Sequence, residues 1–225
     1  MRRTRAAGYG EVERAIPSGE QMISGLAVNE RWIYFTARDG ANATGLYRMA
    51  HDGASRTRVS ALSAGAGLAF AGGELYAVGR APGALHKVEP DGQSSKVCDL
   101  PVEWARGLAF DGANFWFLGM NPAQDLHGAY AVDAKSGEVK VHLESADADI
   151  RGIAAEQKAG GGRRWISSRS GEVYEVEPAR IPKGGRLEAG IVRKFPGRYG
   201  QLSWYGGVLW GVDNEARRIC EIRLE

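Results

Sequence analysis

Five arginines recur at two fixed places relative to short motifs. Arg38, Arg80 and Arg169 each stand four residues after an aromatic side chain, Tyr34, Tyr76 and Trp165 respectively, while Arg106 and Arg151 immediately precede the triplets Gly107-Leu108-Ala109 and Gly152-Ile153-Ala154. A guanidinium stays charged at neutral pH and presents a planar fork of N–H donors that fits a carboxylate, phosphate or sulfate bidentately. A fold that brought these five together would therefore create an anion-binding surface. Trp104 and Tyr199 flank the same motifs and would add a flat apolar or sugar-stacking wall. A competing reading ties the arginines up as salt bridges with Glu103, Asp147, Asp149 and Asp213, which lie in the same stretches. The 22 arginines against 7 lysines favour that second reading, as a general compositional preference.

Other chemistries have thinner support. Asp125, His127, Asp147, Asp149, Asp213 and Asn214 are hard ligands of the kind that hold Ca²⁺ or Mg²⁺, but nothing fixes their mutual spacing, so no cofactor is expected beyond such an ion. Ser167, Ser168 and Ser170 lack an identifiable histidine partner for nucleophilic catalysis. Cys98 and Cys220 are too few and too distant in sequence for a disulfide framework, and two reduced thiols are expected. A formal net charge of +2 argues against a nucleic-acid partner bound through bulk charge. No apolar run approaches the roughly 18 residues of a membrane span. The basic start Met1-Arg2-Arg3-Thr4-Arg5 is followed by no apolar stretch of the export type, and the expected setting is cytoplasmic.

The elements that must position the arginines emerge from internal repetition. The triplet Gly25-Leu26-Ala27 returns as Gly67-Leu68-Ala69 and Gly107-Leu108-Ala109, then weakens to Gly152-Ile153-Ala154 and Gln201-Leu202-Ser203, at spacings of 42, 40, 45 and 49. An aromatic follows each in a second apolar run: Tyr34, Tyr76, Trp116, Trp165 and Trp210. Trp165 comes late because Gln157 to Gly162, containing Ala159-Gly160-Gly161-Gly162, inserts a loop. A third alternating run comes next, such as Leu46-Tyr47-Arg48-Met49 or Val173-Tyr174-Glu175-Val176. Turns such as Pro90-Asp91-Gly92 then lead to a more polar fourth run. The 32 glycines in 225 residues, about twice ordinary usage, fit this density of tight turns.

Period-two runs separated by Asp-Gly and Gly-Gly turns predict antiparallel hairpins. Four strands per repeat of this length predict an all-β, five-bladed β-propeller spanning residues 1–225 as one domain. The recurrent aromatics are then core side chains filling the wedges between blades. The fifth unit ends after three strands, and Tyr9 to Ile16 alternates as the missing fourth. Pairing the two ends would close the ring and leave no exposed edge, with Cys98 and Cys220 in non-adjacent blades.

The run GLAFDGANFWFLG (107–119) and the hairpin AYAVDAKSGEV (129–139) resemble the repeats of the NHL, SMP-30/gluconolactonase, streptogramin lyase and plant-type glutamine cyclotransferase group of propellers. The resemblance covers nearly the whole chain and implies the fold. It transfers no catalytic residue, because the matching positions are turn and core residues and His51, His86, His127 and His142 fall at unrelated repeat positions. In such a ring, blade-to-blade loops and second-to-third-strand loops crowd one mouth of the channel, where both arginine series are expected. Three functions remain open. A monomeric binding module would hold an anionic small molecule, glycan or peptide carboxylate. A lyase, lactonase or cyclotransferase would use an acid or a metal-bound water at the same mouth, with Asp149 and Asp213 as the candidate acids. A scaffold would hold a protein partner on its rim.

Overall fold

A computed structural model describes residues 8–20, 22–38, 44–62, 66–80, 83–121, 126–133, 135–146, 149–158 and 162–225. After β1 (Val12–Pro17), blade one is β2 (Ile23–Val28), β3 (Ile33–Arg38), β4 (Thr44–Met49) and β5 (Thr57–Ala61). Blade two is β6 (Gly67–Ala71), β7 (Glu74–Arg80), β8 (Gly83–Val88) and β9 (Ser94–Asp99). Blade three is β10 (Glu103–Phe110), β11 (Asn114–Asn121), β12 (Leu126–Asp133) and β13 (Val139–Glu144). Blade four is β14 (Ile150–Ala155), β15 (Arg164–Ser168), β16 (Glu172–Val176) and β17 (Ile191–Pro196), the last preceded by two 3₁₀ turns. Blade five joins β18 (Leu202–Tyr205), β19 (Val208–Asp213) and β20 (Arg218–Ile222) to β1. Each blade is a four-stranded antiparallel sheet, and the ring is the predicted five-bladed propeller.

Burial follows strand position. A second strand has neighbouring blades on both faces, so β15 is buried along its whole length, including two serines and Arg164. An outer strand faces water, and β9 is almost wholly exposed. Among the described residues the buried side chains form five clusters, each shared by two adjacent blades. Trp116, Trp165 and Trp210 are buried in these wedges as their repeat positions require. Each fully buried large apolar side chain contributes about 1.5–3 kcal/mol, so the ring is held by its inter-blade faces more than by any one sheet.

The triplet glycines let the inner strands approach. A Cβ on Gly67 would collide with the backbone of Gly107, whose own N–H donates to the Ala66 carbonyl at 2.8 Å. A Cβ on Gly152 would lie 2.8 Å from the Cα of Gln201. The axis is consequently narrow. Ala69, Ala109, Ala154, Phe70 and Phe110 line a space of only about 20 Å³ between the inner strands, room for roughly one water.

Ring closure uses both termini. β1 pairs antiparallel with β20 from Val12↔Ile222 to Pro17↔Arg218. The pairing extends beyond β1, where Gly10 N–H donates to the Arg223 carbonyl at 2.6 Å and Arg223 N–H to the Glu11 carbonyl at 3.0 Å. Tyr9 then crosses to blade four, donating its hydroxyl to Glu175 beneath the Arg193 guanidinium, which sits 4.0 Å from the ring centroid. Burial and the Glu175 carboxylate push the Tyr9 phenol up to about 12. Cys98 and Cys220 are both free thiols, in blades two and five.

Candidate functional site

At the end of the axis where the inner strands begin, a cavity of about 340 Å³ is lined by Met22, Ile23, Ser24, Trp104, Arg106, Arg151, Gly200, Gln201 and Asn214. Its volume lies within the range of small-molecule sites. Ser24, Arg106, Arg151 and Gly200 all occupy the position just before the repeat triplet, so the inner-strand alignment locates the mouth. The alignment on the second-strand aromatics does so less well. Arg38 ends β3 and Arg169 follows β15, and both are exposed and outside the cavity lining. The second strand lies about 4.8 Å further from the axis, and of the described side chains in this series only Asn214, four residues after Trp210, lines the cavity. Arg80 ends β7, its backbone paired with Gly83, and its side chain lies outside what is described.

Trp104 is held over the mouth by irregular backbone. β10 begins well before its triplet, and its register with β11 shifts twice, between Glu103 and Arg106 and between Arg106 and Leu108. Such bulges re-aim side chains. Trp104 has φ of 58°, a left-handed conformation that costs a non-glycine residue about 1–2 kcal/mol. The indole is 50% exposed, and Met22 beside the same cavity is 52% exposed, two of the few large apolar side chains left to solvent. Strained residues of this kind collect at ligand clamps. Tyr199 behaves differently from its sequence expectation: it is 6% exposed, packs in the wedge between blades four and five, and lays its ring against Gly197 and Gly211. It therefore gives the mouth no wall, and burial pushes its phenol up to about 12.

The two mouth guanidiniums are positioned from different blades. Arg106 Nη1 donates to the Ile150 carbonyl at 3.4 Å, reaching from blade three to blade four. Arg151 Nη2 meets Asp149 Oδ1 at 3.0 Å, and its Nε is buried without a hydrogen-bond partner among the described residues. The Asp149 pair is partly exposed and of the kind worth about 0–1 kcal/mol, so it leaves Arg151 available to a stronger anion. Asn214 locks blade five to blade one, its Oδ1 accepting from Ile23 N–H at 2.8 Å and its Nδ2 donating to the Ile23 carbonyl at 3.1 Å. Met22 and the buried Gln201 are lining residues that sequence reasoning missed; Gln201 was legible as the only triplet start that is not glycine.

The acids considered as catalysts are each paired with an arginine. Asp213 Oδ2 pairs with Arg218 at 3.1 Å, its Oδ1 accepts from Ala216 N–H at 2.9 Å, and neither it nor Asp149 lines the cavity. Asp125 and Asp147 lie outside the described residues, as does the side chain of Glu103. Among the described residues no group of three His, Cys, Asp or Glu is placed to hold a metal ion. His51 bonds the Asn29 carbonyl at 2.8 Å, and His142 stacks on Tyr130 at 4.3 Å, both away from the mouth.

No protein-family model matches the chain, and no curated protein matches it. Solved structures do. A nidogen/laminin complex matches with a TM-score of 0.61 and 15% identity, over 85% of this chain and 72% of that one. Virginiamycin B lyase from Staphylococcus aureus matches with a TM-score of 0.53 and 11% identity, over 94% and 99%. A streptogramin B lyase matches with a TM-score of 0.51 and 13% identity, over 90% and 65%. These likenesses, at 15% identity or below, are to the β-propeller fold, and fold alone carries no activity.

Proposed function

We propose that the protein binds an anionic small molecule, or the acidic group of a glycan or peptide, at the mouth bounded by Arg106, Arg151 and Trp104. The observation that carries this reading is the convergence of two guanidiniums from neighbouring blades with an exposed, strained indole on one cavity. The guanidiniums would grip the carboxylate, phosphate or sulfate, and Trp104 with Met22 would cover an apolar or sugar body attached to it. Calorimetric titration with benzoate, glucuronate and phenyl phosphate tests it. At least one should bind saturably to the native protein. Charged hydrogen bonds are worth about 1.5–3 kcal/mol each, so Arg106→Ala or Arg151→Ala should weaken that binding by about tenfold or more. Equal affinity in the wild type and both variants would overturn the reading. An enzymatic reading draws on the fold likeness to two lyases, but Asp149 and Asp213, the acids it would use, are both paired with arginines.

A further inference from the structure

The opposite end of the axis carries a second cavity, of about 490 Å³, lined by turns between first and second strands. Its walls are Phe70, Trp204 and Tyr205, and its polar groups are Glu30, Glu156 and Gln157 together with Asn29. From these features we infer a second binding site, selective for an organic ammonium ion carried on an aromatic or apolar body.

The walls are rigid. Trp204 stacks on the buried Trp165 with ring centroids 4.4 Å apart and planes 16° apart, so one face is backed by core and the ring cannot swing away. Gln157 Nε2 donates to the Phe70 carbonyl at 3.3 Å, tying blade four to blade two across the axis. The rim is open because two of its turns are Gly72-Gly73 and Gly206-Gly207, where an added Cβ would meet nothing within 4 Å.

The lining charge has one sign. Among the described residues two carboxylates, of which Glu156 is paired with Arg163, and no basic side chain line the cavity. Arg163, next to Glu156, is already committed: its Nη1 is 3.3 Å from Glu175, its Nε 3.7 Å from Glu156, and it lies over Trp165. Glu30, exposed at the rim, has no cationic partner among the described residues, and its turn is fixed by Asn29 Oδ1 accepting from Arg31 and Trp32 N–H. Aromatic faces beside carboxylates favour ammonium ions through the ring quadrupole and direct charge attraction. This is the reverse of the arginine mouth, and the two cavities have no lining residue in common.

The probe is phenyltrimethylammonium, with benzyl alcohol as its neutral counterpart, titrated into the full chain and followed by calorimetry and by quenching of indole fluorescence. Phenyltrimethylammonium should bind saturably and at least tenfold more tightly than benzyl alcohol. Glu30→Gln, a change at an exposed turn that spares the fold, should weaken it about fivefold, and Arg106→Ala should leave it unchanged. Tyr205→Ala gives a second, independent loss of affinity. Absent saturation, equal binding of the neutral probe, an unaffected Glu30→Gln, or loss on Arg106→Ala would each overturn the proposal, and none of these results bears on whether anions bind at the other mouth.

Discussion

Replacing Asp111 with Ala should destabilise the ring more than any surface change. Asp111 opens the turn between β10 and β11, and four donors converge on it. Its Oδ1 accepts from Ala113 N–H at 2.9 Å and Asn114 N–H at 2.7 Å, and its Oδ2 from Trp116 Nε1 at 2.7 Å and Arg164 Nη2 at 2.6 Å. The ion pair is dry, with side chains 4% and 9% exposed, and the Arg164 guanidinium lies 4.9 Å from the Trp116 ring centroid. Blade three is thus bolted to blade four. Removing one partner of a buried pair leaves the other charge uncompensated, at a cost of about 3–5 kcal/mol. For a chain of this size each kcal/mol moves the midpoint by about 2–4 °C, so Asp111→Ala should lower Tm by about 6 to 20 °C. The double variant Asp111→Ala/Arg164→Met should recover much of the loss, because it removes the orphaned charge as well. Burial pushes the Asp111 carboxyl upward, but the Asn114, Trp116 and Ala113 donors and Arg164 outweigh it and hold the group below its ordinary value. Its folded pKa is therefore depressed, so the stabilisation is complete above the unfolded carboxylate value of about 3.9 and is lost as pH falls through the folded one. Thermal melts from pH 7 to pH 2 read both effects. A single variant within about 2 °C of wild type, or a double variant as unstable as the single one, would refute the reasoning.

Deleting residues 1–17 removes β1, including the buried Ile16, and should lower the urea midpoint by an amount worth at least about 2–5 kcal/mol; an unchanged transition would contradict closure through both termini. Burial pushes the Cys220 thiol up to about 11, which leaves roughly one part in a thousand as thiolate at pH 8. Iodoacetamide should accordingly label native protein at Cys98 alone, and Cys220 only after denaturation, as peptide mapping by mass spectrometry would record. Trp104→Gly should relieve the left-handed strain, raising stability by about 0.5 kcal/mol after the entropy cost of glycine, while weakening anion binding; a loss of both would make Trp104 a packing residue instead.

The blade count was legible because each blade repeats the same packing problem. Small residues must sit where Gly67 meets Gly107, and large ones where Trp165 fills a wedge, so the triplets and aromatics recur with the ring. Closure was legible from the absent fourth strand of blade five and the alternation of Tyr9 to Ile16. The mouth was legible chiefly where residues lie on inner strands, as Arg106 and Arg151 do. Arg38 and Arg169 share a repeat position that looks equivalent on paper yet lies a strand further out. Tyr199 stands next to the mouth in sequence but rotates into a wedge, which depends on the space left by Gly197 and Gly211 in three dimensions. Nothing local in the sequence distinguishes Asp111-Gly112 from an ordinary turn pair, because the partner Arg164 is fifty-three residues away. The acidic cavity drew on Glu30, Glu156 and Trp204 from three blades, with no shared motif to announce it.

The most direct test of the anion-binding mouth is crystallographic: crystals grown or soaked with 4-bromobenzoate, with anomalous differences measured at the bromine edge. The expected result is a single strong bromine peak in the mouth, with the carboxylate between Arg106 and Arg151 and the ring against Trp104. An ordered bromine elsewhere with an empty mouth, or no ordered bromine at concentrations that saturate binding in solution, would contradict it.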